Sequence, residues 1–153
     1  MDLILWRHAE AHEAQALRDD LARELTPRGL KQASRMAAWL DRHLPDGTRI
    51  VCSPARRTVQ TVDALGRRYK VRTELAPNAD HDALLALVQW PQGRGTVLVV
   101  GHQPTLGRTV AQLLGMTERD LPMRKGAVWW LRTREREGQG QTVVVAAQSP
   151  ETV

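Results

Sequence analysis

Thr96-Val97-Leu98-Val99-Val100 is the segment that most restricts how this 153-residue chain can fold. It is an unbroken apolar run, rich in β-branched side chains and bounded by glycine. A strand with no polar face needs cover on both sides, as central strands of parallel sheets have. Shorter runs at Asp2–Trp6 and 49–52 have the same strand character, and 70–74 is a weaker case. Two β-rich runs, 127–133 and 142–148, flank a turn rich in glycine and charge, which predicts an antiparallel hairpin.

Helical patterns fill the gaps. Thr26 is a good N-cap and Pro27 suits the first helical position. Leu30, Ala33, Ala37, Leu40 and Leu44 then form one apolar stripe, ended by Pro45-Asp46-Gly47. Ser53-Pro54 repeats the cap-then-proline start, with Val59, Val62 and Leu65 marking a helix to about Arg68. Further helices are predicted over 81–90 and after Pro104, the latter carrying Leu106, Val110, Leu113 and Leu114. Leu17, Leu21 and Leu25, spaced by four, allow a partial helix within 9–24. This alternation predicts an α/β three-layer sandwich: a mostly parallel central sheet, helices on both faces, and a C-terminal antiparallel hairpin. No repeat or low-complexity linker interrupts residues 1–153, which read as a single domain.

The net charge of +5 favours anionic partners: phosphates, phosphoproteins or nucleic acid. The arginines are scattered, and no recognised nucleic-acid motif or basic run interleaved with aromatics is present. A membrane partner is not expected, because no apolar run approaches the ~20 residues of a membrane span. The lone cysteine, Cys52, sits in an apolar stretch and reads as a core residue in a reducing compartment. With no signal peptide visible, a cytoplasmic location is expected.

Three strand ends carry residues suited to phosphate chemistry. The first strand ends in Arg7-His8. A guanidinium grips two oxygens in a planar fork, and an imidazole can attack phosphorus. The second leads into Ser53-Pro54-Ala55-Arg56-Arg57, and the strongest into Gly101-His102, each just before a helix. Helix N-termini favour anions, and in a parallel sheet these ends share one edge. Gly101 would let the backbone approach a ligand closely.

Four segments in order resemble the histidine phosphatase superfamily, the phosphoglycerate mutase-like group, and within it the short SixA-type phosphohistidine phosphatases. Arg7-His8-Ala9 stands where the family has Arg-His-Gly. Leu25-Thr26-Pro27-Arg28-Gly29-Leu30-Lys31-Gln32-Ala33 is similar to its "L-T-x-x-G-x-x-Q-A" helix start. Ser53-Pro54-Ala55-Arg56-Arg57-Thr58-Val59-Gln60-Thr61 matches "S-P-x-x-R-[AT]-x-Q-T". Val99-Val100-Gly101-His102-Gln103-Pro104 resembles the second-histidine motif. The matches cover residues 3 to about 107, and the departure is Ala9 for glycine.

The resemblance implies a metal-independent hydrolase with no cofactor. His8 would be the nucleophile, kept neutral by nearby arginines, and Arg7, Arg57 and the positively charged His102 would bind the phosphoryl oxygens. Arg57 is preferred to Arg56 because it holds the motif position, and on a helix the two point ~100° apart. His12, His43 and His81 have no motif context and read as exposed or loop histidines. Glu74 is the closest positional candidate for a general acid, with Asp80 and Glu10 as rivals. A phosphohistidine substrate needs such an acid less, because its imidazole can leave already protonated. Lys125 reads as a plain surface lysine, with a place near the mouth of the site as the alternative. The short covering stretches, 9–24 and 74–82, suit an open site and a phosphorylated protein side chain. The alternatives are a small-molecule phosphomonoesterase and a basic nucleic-acid or polyphosphate-binding module without turnover. Nothing in the sequence indicates an oligomeric state.

Overall fold

Strand β4 (Thr96–Gly101), the apolar run singled out above, lies between β1 (Asp2–Arg7) and β2 (Arg49–Cys52) and is parallel to both. The structure is a computed structural model and describes residues 1–14 and 17–153. The sheet has six strands in the order β3-β2-β4-β1-β5-β6. β3 (Lys70–Val71) continues the parallel set beside β2. β5 (Val128–Arg136) runs antiparallel to β1, and β6 (Gln139–Gln148) antiparallel to β5.

The period of two along each strand sorts the core into two layers. Ile4, Trp6, Leu98 and Val100 pack against Met36, Leu40 and Val62 from α1 (Pro27–His43) and α2 (Arg56–Asp63). Leu3, Leu5, Val97 and Val99 pack on the other face against Leu84, Val88, Leu106 and Val110 from α3 (His81–Val88) and α4 (Thr105–Leu113). The expected three-layer arrangement with a C-terminal hairpin is the one found. Among the described residues no helix is long and apolar enough to cross a membrane.

Several boundaries differ from the sequence reading, each for a local reason. α1 starts as predicted, with the Gly29 N–H donating to Thr26 Oγ1 at 2.9 Å. Its buried line runs through Gly29, Ala33, Met36, Ala37 and Leu40, however, and Leu30 is 51% exposed. A Cβ at Gly29 would collide with the Glu10 carbonyl, so the first turn is seated on that main chain and Leu30 is rotated outward. α2 begins at Arg56 rather than beside Pro54, with Ala55 at the N-cap and its N–H donating to Ser53 Oγ, and it ends at Asp63 before Gly66 (φ 70°). β3 is only two residues long and passes into a 3-10 turn, Thr73–Leu75. The hairpin strands are longer than their apolar parts, since Glu137 and Gly138 both take positive φ and carry pairing into the polar tip.

The leucine spacing in 9–24 does not mark an α-helix face. Residues 15 and 16 lie outside the described residues, Leu17–Ala22 is a 3-10 segment, and Leu21 is 53% exposed. The described ends of the segment meet in an antiparallel neck: Ala11 bridges Leu25, the His12 N–H donates to the Glu24 carbonyl, and the Thr26 N–H donates to that of Glu10.

Candidate active site

Main-chain hydrogen bonds tie the three strand ends together. The His8 N–H donates to the Gly101 carbonyl at 3.1 Å, and the Ser53 N–H to that of Val100 at 3.0 Å. Parallel pairing therefore places Arg7-His8, Ser53 and His102 on one edge, as the sequence predicts. His8, Arg57 and His102 are all buried, and the two imidazoles lie 5.4 Å apart between ring centroids, tilted by 54°.

The motif residues that do not touch the centre hold the loop that carries it. Thr61 Oγ1 accepts the Ala9 N–H, Gln32 Oε1 accepts that of Glu10, and Gln60 Oε1 accepts that of Leu25. Ala9 is fully buried in a cluster with Ala11, Leu25 and Ala33. Its methyl group, the departure from the expected glycine, has a packed place.

The His8 Nδ1 lies 2.7 Å from the Ala9 carbonyl. A carbonyl only accepts, so Nδ1 carries the ring proton and Nε2 keeps its lone pair. Burial, with the charges of Arg57 and Arg7, holds the His8 pKa down to about 4, so the ring is neutral at neutral pH. The same causes, burial first and then Arg57, lower His102 to about 3. This corrects one expectation: His102 enters the site as a neutral ring, not as a cation. Its Nε2 lies 2.7 Å from Ser53 Oγ. That hydroxyl accepts the Ala55 N–H and keeps a proton of its own that it can donate to Nε2, a tautomer in which the imidazole proton sits on Nδ1.

The two arginines are anchored and still have donors to spare. Arg7 Nη1 donates to the Met123 carbonyl at 2.7 Å. Arg57 Nη1 donates to the Asp20 carbonyl at 2.8 Å and Nη2 to the Asp20 carboxylate at 3.3 Å. Arg7 Nε, Arg57 Nε and His102 Nδ1 are the buried side-chain polar atoms without a partner among the described residues. Native proteins rarely leave such atoms unpaired, and here all three belong to one constellation.

Arg56 faces away, half exposed and 2.6 Å from Glu24. Lys125 is exposed, with no hydrogen bond or ion pair among the described residues. Glu74 and Asp80 are exposed, and Glu10 accepts the Thr26 hydroxyl at the start of α1. His12 and His43 are exposed, and His81 lies at the start of α3 beside Asp80. A Cβ at Gly101 would meet Leu106 at an ordinary 3.4 Å, so that side of the residue faces the core. Cys52 is fully buried, and burial pushes its thiol up to about 12, leaving it inert.

Sequence reasoning missed Asp20, Arg23 and Ser53. Arg23 is close enough for its charge to depress His8, and its guanidinium holds both Asp20 and the His12 carbonyl. Burial alone would raise the Asp20 carboxyl, but the hydrogen bond from Arg23 and the charge of Arg57 hold it below the ordinary carboxylate range. The available signal was the i,i+3 spacing of Asp20 and Arg23 just ahead of the Leu25-Thr26 helix start.

Comparison with known proteins identifies relatives of this chain. The family model for the histidine phosphatase superfamily (branch 1) matches residues 3–80. Phosphohistidine phosphatase SixA of Escherichia coli (strain K12) is 31% identical over 121 residues, 74% of each chain. A candidate SixA from Nakamurella multipartitia superposes with a TM-score of 0.79 at 33% identity, covering 97% of this chain and 95% of that one. The structure of SixA complexed with tungstate superposes with a TM-score of 0.76 at 27% identity, over 98% and 97%.

Proposed function

The chain belongs to the histidine phosphatase superfamily, branch 1, and from this premise we propose that it removes phosphate from phosphohistidine in a protein. It is a phosphatase of the kind that works through a histidine intermediate. The observation that carries the assignment of His8 is the 2.7 Å bond from its Nδ1 to the Ala9 carbonyl, which leaves a neutral Nε2 lone pair among arginines.

In the proposed cycle, His8 Nε2 attacks phosphorus in line with the leaving imidazole. The new N–P bond forms as the substrate's N–P bond breaks, and the bonding pair leaves with the substrate imidazole. Arg7 Nε–H, Arg57 Nε–H and His102 Nδ1–H, the donors without partners, receive the phosphoryl oxygens. Water then attacks the phosphorus on His8, giving phosphate and the free ring.

The state of Asp20 supports a phosphohistidine over an ester. An alkoxide leaves poorly without a donated proton, whereas imidazole leaves as a neutral ring when its other nitrogen holds a proton. Asp20 is the carboxylate whose charge reaches His102, and Arg23 and Arg57 keep it ionised. It is therefore a poor proton donor. The Escherichia coli relative, named a phosphohistidine phosphatase, points the same way.

Mass spectrometry of the acid-labile phosphoenzyme tests the reading. Wild-type and His8→Ala protein are exposed briefly to p-nitrophenyl phosphate and to a protein phosphorylated on histidine. Phosphate on His8 alone, formed faster from the phosphoprotein, is the expected result. Faster transfer from the ester would overturn the choice of substrate, and phosphate on another residue would overturn the choice of nucleophile.

A further inference from the structure

The sheet edge beyond β2 has a use that the chemistry does not absorb. β3 pairs only with Val51 and Cys52, so Arg49 and Ile50 have no strand on that side, and β3 itself is the edge strand. A groove of about 600 Å³ follows this gap. The half-buried Leu87 of α3 borders it, with Ile50 and Val51 buried behind it in the two core layers. Arg49, Arg67, Arg68, Lys70 and Arg72 surround it, with no carboxylate in the lining.

Five of the chain's 22 Lys and Arg side chains line this groove. Arg67 is held by Asp41, but Arg49, Arg68, Lys70 and Arg72 pair with no carboxylate among the described residues. At the far end the Arg72 N–H donates to the Cys52 carbonyl, one residue before Ser53, so the groove leads toward the active edge.

We propose that this groove docks an acidic, extended segment of a partner protein. An open strand edge offers main-chain hydrogen bonds to an extended peptide. The four cations without a carboxylate partner select carboxylates and repel a second copy of this positively charged chain. A single-stranded nucleic acid would want aromatic platforms. The aromatic residue here is Tyr69, whose hydroxyl is bound to Asp63 at 2.8 Å.

Fluorescence anisotropy with a labelled twelve-residue peptide of alternating Glu and Val tests the proposal. A twelve-nucleotide single-stranded RNA serves as competitor. Wild-type protein is compared with the Arg68→Glu/Lys70→Glu pair, and with Arg68→Ser/Lys70→Ser should charge reversal impair folding. Turnover of p-nitrophenyl phosphate and thermal unfolding are followed in parallel. The expected result is binding that weakens with salt and falls at least tenfold in the variants, with turnover unchanged. Absence of binding to wild-type protein, or equal binding to the variants, overturns the proposal. RNA that binds more tightly than the peptide and is lost in the variants also overturns it. Turnover separates these results from any failure of the phosphatase reading.

Discussion

Arg57 directs both of its terminal nitrogens at Asp20, 2.8 Å to the main-chain carbonyl and 3.3 Å to the carboxylate, while its buried Nε–H has no partner. The acid therefore fixes which edge of the guanidinium is left for a phosphoryl group. Asp20→Ala should lower kcat/KM about tenfold with little change in stability, because loss of alignment in a positioned donor is costly. Steady-state kinetics with p-nitrophenyl phosphate decide it. A higher kcat/KM would mean that Asp20 competes with the phosphoryl group instead of positioning Arg57.

The adjacent arginines should behave very differently. Arg57 is buried in the site, and Arg56 is half exposed against Glu24. Arg57→Ala should reduce kcat by roughly 10²–10³, the scale for losing a preorganised transition-state donor. Arg56→Ala should stay within about twofold, since exposed ion pairs contribute little. Equal losses in the two variants would contradict the assignment.

The pH dependence follows from the two histidines. Burial and nearby arginines place His8 at about 4 and His102 at about 3 in the folded protein, against an ordinary 6.5. The acid limb of kcat/KM, if set by His8, should therefore fall near pH 4, with no inflection near 6.5. Stability has a definite sign. Above about 6.5 both folded and unfolded histidines are neutral, so these two groups add no slope. Below it the unfolded chain takes up protons that the folded chain refuses, and stability falls as pH drops toward 4. Thermal unfolding from pH 8 to 4 should show this loss, and it should be smaller in His8→Ala.

Gly29 is the most sensitive small residue in the frame. A Cβ there would collide with the Glu10 carbonyl. Gly29→Ala should destabilise by about 1–3 kcal/mol, the usual cost of forced overpacking. It should also lower turnover, since Glu10 lies two residues from His8. An unchanged melting temperature would show that α1 can move away freely.

The sheet was legible in the sequence: the apolar run of β4 and the cap-and-proline start of α1 are local features that period and capping suffice to read. The choice of Arg7, His8, Arg57 and His102 rested on the order of motifs shared with the family. Tertiary structure decided what depends on which surfaces meet. It turned Leu30 out and Met36 in, because the first turn of α1 sits on the main chain at Glu10. It made His102 neutral, because burial and the charges of Arg57 and Arg7 come from other segments of the chain. It brought Asp20 onto Arg57 across 37 positions of sequence. Spacing along a chain encodes neighbours on one helix or strand. Desolvation and charge pairing depend on distance in space, which only the closed fold supplies.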